Sequence, residues 1–149
     1  GLLVNLLFFP PKSEDNLKMG IKKLNFMLKG FYIHIVNGFL ESSNYNHQEI
    51  EKMIECLRLE YEEVRKKLFE FKKEQGYFFE SDKVKLYEKI VSDFYLVFER
   101  IIGIYNTEKN RIERNINLKE VTQEYQKILD VCRQLLLVTV ICIYLFKSK

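Results

Sequence analysis

A chain of 149 residues is long enough for one domain with its own core, and its 47% hydrophobic content excludes a disordered chain. The net charge is only +3, with Lys and Arg interleaved among Glu along every segment, so no basic stripe for nucleic acid stands out. The three cysteines, Cys56, Cys132 and Cys142, are scattered through helix-like patterns with no Cys or His at ligand spacing, which speaks against a disulfide framework and for a reducing compartment, and predicts small buried hydrophobes.

Leu2 to Pro10 is apolar apart from Asn5, and the run stops at Pro10-Pro11 before charge begins at Lys12. Chain termini are usually exposed and polar, so this stretch reads as the end of something buried elsewhere. It is far short of the ~18–20 residues of a membrane span, and it lacks the basic flank and cleavage site of a signal peptide.

Ser13, followed by Glu14 and Asp15, predicts a helix start, with Ser13 as cap and the acids near the positive end of the dipole. Leu17, Ile21, Leu24, Leu28, Phe31 and Ile35 then recur at steps of four and three, predicting an amphipathic helix to about Leu40. From Phe26 it is apolar nearly all round, so cover on more than one side is expected. Gly30 and Gly38 are expected to mark close packing.

Residues 41–46 form a Ser- and Asn-rich turn, and Asn46-His-Gln-Glu49 has the form of a capping box. Ile50, Ile54, Leu57, Tyr61, Val64, Leu68 and Phe71 form a heptad seam, the pattern of bundle helices crossing at about 20°. Glu62–Lys66 and Glu63–Lys67 are spaced to pair across one helical turn on the solvated face. Gly76 is expected just beyond the helix end. Tyr77 to Phe79 bridges to Ser81, a second expected cap, and the next seam is Val84, Tyr87, Val91, Phe94, Phe98, Ile101 and Tyr105. The Asn-rich stretch from Asn106 to Ile116 reads as a loop holding at most one helical turn. Asn117 to Glu120 repeats the capping pattern, followed by Leu118, Val121, Tyr125, Ile128, Cys132 and Leu135. From Leu135 to Phe146 the polar face disappears. β-branched residues there allow a strand, but no breaker precedes them, so the helix is expected to continue.

The expected fold is therefore all-α: an antiparallel up-down-up-down four-helix bundle of long helices over residues 12–149. In that topology the first helix starts where the fourth ends. The apolar residues 2–9 and 135–146 then lie near one another, with Lys12, Lys18, Lys147 and Lys149 around them. An apolar end rimmed by lysines is the pattern of a membrane-proximal cytoplasmic face.

The sequence offers no catalytic constellation. His34 lies in an apolar stretch and is expected to be partly buried or at the bundle edge; His47 lies in the first turn of the second helix. Glu-x-x-His, His-x-x-x-His and Cys-x-x-Cys are all absent, as are a Gly-rich phosphate loop and a nucleophile elbow. No enzyme activity, cofactor or metal is expected. The aromatic residues Phe26, Phe31, Tyr32, Phe39, Phe94, Tyr95 and Phe98 leave room for a small aromatic ligand between the first and third helices, although such stripes mostly build core.

Leu3-Val4-Asn5-Leu6-Leu7-Phe8-Phe9-Pro10-Pro11 resembles the end of the last transmembrane helix in the bacterial aromatic acid exporter family, relatives of the fusaric acid resistance proteins. The resemblance is specific over these nine residues; beyond them it is one of type, long Lys- and Glu-rich helices. It implies that residues 1–11 close a truncated transmembrane helix, with Asn5, Phe9, Pro10, Pro11 and Lys12 as the membrane-proximal joint. It implies further a non-catalytic cytoplasmic domain of a membrane transport protein, at the cytoplasmic side of the bacterial cell membrane, serving assembly, regulation or gating. The membrane, through an upstream region, would be its partner, with a homo-oligomer a second option. The competing expectation is a soluble helical bundle that dimerises through its apolar ends.

Overall fold

The structure is a computed structural model that describes residues 12–40, 46–76, 82–114 and 122–147. Four helices occupy them: α1 Lys12–Leu40, α2 His47–Gln75, α3 Asp82–Arg114 and α4 Thr122–Lys147. They run 26 to 33 residues, or about 40–50 Å at ~1.5 Å per residue. The fold is the all-α four-helix bundle that the heptad seams predict.

Contacts between helix ends give the direction of each helix. Ser13 near the start of α1 meets Glu74 near the end of α2, and Lys72 near that end pairs with Glu88 near the start of α3 at 3.1 Å. Tyr32, late in α1, donates to the backbone carbonyl of Ile128, early in α4, at 3.0 Å. Successive helices are therefore antiparallel, and α1 and α3 run the same way. α1 packs most extensively on α2, and α3 on α4. α1 and α3 also meet across the middle while α2 and α4 barely touch, so the cross-section is a flattened rhombus with α1 and α3 on its short diagonal.

The seam residues build the core as their spacing requires. All six apolar positions of the α1 seam are buried, from Leu17 to Ile35. In α2 the seam is buried except at Tyr61 and Leu68, which are half-buried. In α3 all seven seam positions are buried, and Ile90, Val97 and Ile104 join them. This wider apolar arc is what a helix on the short diagonal needs, since it has neighbours on three sides. In α4, Ile128 and Leu135 are buried with Val131 and Val138, while Cys132 is half-buried. Phe31 and Phe98 meet across the diagonal at 6.2 Å between ring centres, and Phe71 meets Tyr87 edge-on at 5.3 Å.

Local signals decide the helix ends that are described. The Asn46 side chain accepts a hydrogen bond from the Glu49 backbone N–H at 3.2 Å, as a capping residue should. Gly76 follows α2 with φ +85°, a conformation that favours glycine, and its N–H returns to the Lys73 carbonyl. The expected caps at Ser81 and at Asn117 to Glu120 lie outside the described residues.

Several expectations need correction. Asn106 to Arg114 is not a loop but the last turns of α3. Weak helix propensity at Asn and Thr is overridden by tertiary contacts: Glu108 is buried within the stretch and Ile104 and Tyr105 just before it, and Thr107 satisfies its hydroxyl on the Gly103 carbonyl at 2.9 Å. The strand alternative for the end of the chain gives way to α4, which continues to Lys147. Gly30 is exposed, and a Cβ added to it would meet nothing within 4 Å. The close approach lies at Gly20, where an added Cβ would come to 3.2 Å from both Val64 and Lys67 of α2. Lys67 is thereby laid over α1 instead of pairing with Glu63. The surface pairs are Glu62–Arg65 at 3.3 Å and Glu63–Lys66 at 3.2 Å, three residues apart and not four. Cys56 is exposed, not buried.

Candidate functional site

Of the expected membrane-proximal joint, only Lys12 is described; Asn5, Phe9, Pro10 and Pro11 lie outside the described residues. Lys12 is exposed and opens α1. The two residues after it do more than begin a helix. Ser13 lies within α1, and its hydroxyl donates to the Glu74 carboxylate on α2 instead of serving as the expected cap. Glu14 is 3% exposed and gathers three partners on one oxygen: Lys83 at 2.6 Å, the Tyr87 hydroxyl at 3.4 Å and Lys18 at 3.5 Å. A buried carboxylate is tolerated because it is neutralised and hydrogen-bonded. Burial, with the Glu14 carboxylate beside it, pushes the Tyr87 phenol well above its usual range. The effect is to tie the start of α1 to α2 and to α3 together. Sequence reading took Ser13 and Glu14 for generic helix-start residues, and nothing in their spacing announces contacts to residues more than sixty positions away.

At the opposite end, His47 Nδ1 lies 2.6 Å from the Tyr105 hydroxyl, with ring centres 5.9 Å apart. This links the start of α2 to the last turns of α3. His34 is half-buried on α1, as expected of a bundle-edge histidine. Among the described residues no three His, Cys, Asp or Glu side chains gather as a metal site.

The aromatic residues that suggested a pocket between the first and third helices separate in the structure. Phe31, Phe94 and Phe98 are buried in the core, Phe26 and Tyr95 are exposed, and the Phe39 side chain lies outside the described set. A groove of about 580 Å³ lies instead between α3 and α4. Its floor is Ile104 and Val131, both buried. Gly103 and Thr107 form one wall, and Arg100, Lys127, Asp130, Arg133 and Gln134 surround it. The Asp130 carboxylate accepts from Gln126 at 3.2 Å and faces Arg133 at 3.9 Å. The sequence reading missed this site, because no motif marks it: its lining residues come from two helices, and Thr107 falls in the stretch read as a loop.

The outward faces are unusually apolar. Met19, Phe26 and Ile33 repeat every seven residues on the side of α1 opposite its seam, each more than half exposed. Leu129, Leu136, Leu137 and Val140 are exposed along α4. None of the helices, over the residues described, is long and apolar enough to cross a membrane.

Set against family models, curated proteins and solved structures, the chain matches none of them. The class that the fold itself defines is an all-α four-helix bundle.

Proposed function

We propose that this bundle is a non-catalytic cytoplasmic domain of a bacterial membrane transport protein of the aromatic acid exporter type, serving assembly, regulation or gating at the inner face of the membrane. The observation that carries the reading is the direction of the helices. α1 and α4 are antiparallel, so Lys12, which follows the apolar residues 2–9, and the end of α4, which holds the apolar run 135–146, belong to the same end of the bundle. Lysines flank both segments, which suits the cytoplasmic side of a membrane. The Ser13 and Glu14 contacts support the same reading from the protein side. Through Ser13 and Glu14 the start of α1 is joined to α2 and α3, an arrangement that suits a regulatory joint. The protein expressed from its own gene is expected in the membrane fraction after an alkaline carbonate wash. Recovery in the soluble fraction would sink the proposal.

A second reading has its own observation. The exposed apolar residues on α1 and α4 are also what a self-associating soluble bundle would present. That reading predicts a concentration-dependent dimer by analytical ultracentrifugation that survives deletion of residues 1–9.

A further inference from the structure

We infer that the groove between α3 and α4 binds a small organic anion that has an apolar body. Three features point to this ligand class, and none of them depends on the membrane reading. The first is size: about 580 Å³ lies within the range of small-molecule sites and is far more than an inorganic anion fills. The second is charge. Arg100 and Arg133 line the groove with one carboxylate, Asp130, which Gln126 and Arg133 already engage. Arg100 has no ion-pair partner among the described residues, and guanidinium groups suit carboxylate, sulfonate and phosphate oxygens. The third is the floor, where Ile104 and Val131 offer buried apolar surface to a hydrocarbon body.

Gly103 is the means of testing the site. A Cβ there would meet nothing within 4 Å, so a side chain added at this position enters open space without disturbing the core. Leucine also favours the helix over glycine. The probe is 8-anilinonaphthalene-1-sulfonate, which has an acid group, aromatic rings and one N–H. Its uncharged counterpart N-phenyl-1-naphthylamine lacks only the sulfonate. Fluorescence titration of the full chain is expected to give one saturable site for the sulfonate. Gly103→Leu and Arg100→Glu should each weaken it at least tenfold, with the circular dichroism spectrum and thermal midpoint retained. The uncharged probe should not respond to Arg100→Glu. Three results would each overturn the assignment: no saturable binding by the unaltered chain, sulfonate binding unchanged in both variants, or an equal response of the two probes to charge reversal. Membrane fractionation reads a different property, so failure here leaves the proposed function standing, and the reverse holds as well.

Discussion

Glu14 is the residue whose role depends most on its surroundings. On an isolated helix it would be an exposed acid near the dipole's positive end, contributing under ~1 kcal/mol. In the bundle it is 3% exposed and joined to Lys83, Lys18 and Tyr87. Removing one member of such a network leaves the others desolvated without a partner. Lys83 is about half exposed and can rehydrate, which places the loss at the lower end of the usual range. Glu14→Ala is expected to reduce unfolding free energy by about 2–3 kcal/mol in urea titrations, against under ~0.5 kcal/mol for the surface control Glu62→Ala. Equal effects for the two variants would mean that the Glu14 contacts contribute no more than a surface pair does.

At the level of the helix, two glycines separate intrinsic preference from packing. Gly30 and Gly20 both lie inside α1, and both carry the same entropic cost relative to Ala, about 1 kcal/mol. At Gly30 an added Cβ meets open space, so Gly30→Ala should stabilise the protein by roughly 0.5–1 kcal/mol. At Gly20 the Cβ would press on Val64 and Lys67 at 3.2 Å. The Lys67 stem can move, but Val64 is buried and cannot move freely. Gly20→Ala should therefore lose most of that gain or turn destabilising, and paired thermal melts would show the difference. α3 teaches a related lesson. Its Asn-rich last turns have weak propensity, yet they stay helical where Tyr105 and Glu108 are buried and His47 of α2 reaches the Tyr105 hydroxyl. Charge and amide composition alone cannot reveal that, since the burying partners come from other helices.

The whole molecule is bound across its elements by phenols. Tyr32 joins α1 to α4 through the Ile128 carbonyl, and Tyr87 joins α3 to α1 through Glu14. Burial, with a smaller contribution from nearby Cys132, pushes the Tyr32 phenol up to about 12 from its ordinary value of 10.0. Burial also raises Tyr61. Both folded and unfolded chains keep these protons below the unfolded value near 10, so the phenols' contribution is complete there. Above it the unfolded chain ionises first and is favoured, so stability falls as pH rises from 10 toward the folded value of about 12. Urea unfolding between pH 8 and pH 11.5, at roughly half-unit steps around tyrosine's usual range, should show this fall. It should be shallower in Tyr32→Phe than in the unaltered chain; identical slopes would remove Tyr32 from the explanation. The flattened cross-section also matters at this scale. α4 leans mainly on α3, which opens the groove on one side and leaves Leu129, Leu136, Leu137 and Val140 outward.

The sequence by itself determined the number of helices, their approximate extents apart from the last turns of α3, and most of their buried apolar positions. A 3.5-residue apolar repeat has one stable use in water, which is to bury its stripe against other such stripes. It also determined Asn46 and Gly76 as ends of α2, because capping depends on residues a few positions apart. Only the tertiary structure decided that α1 and α3 share the short diagonal, that Gly20 and not Gly30 is the close approach, and that Glu14 is buried. It alone placed Arg100, Gly103, Lys127 and Gln134 around one groove. These are relations between residues far apart in the chain. The periodicity of each helix says which face turns inward, but not which side chains of another helix it will meet there.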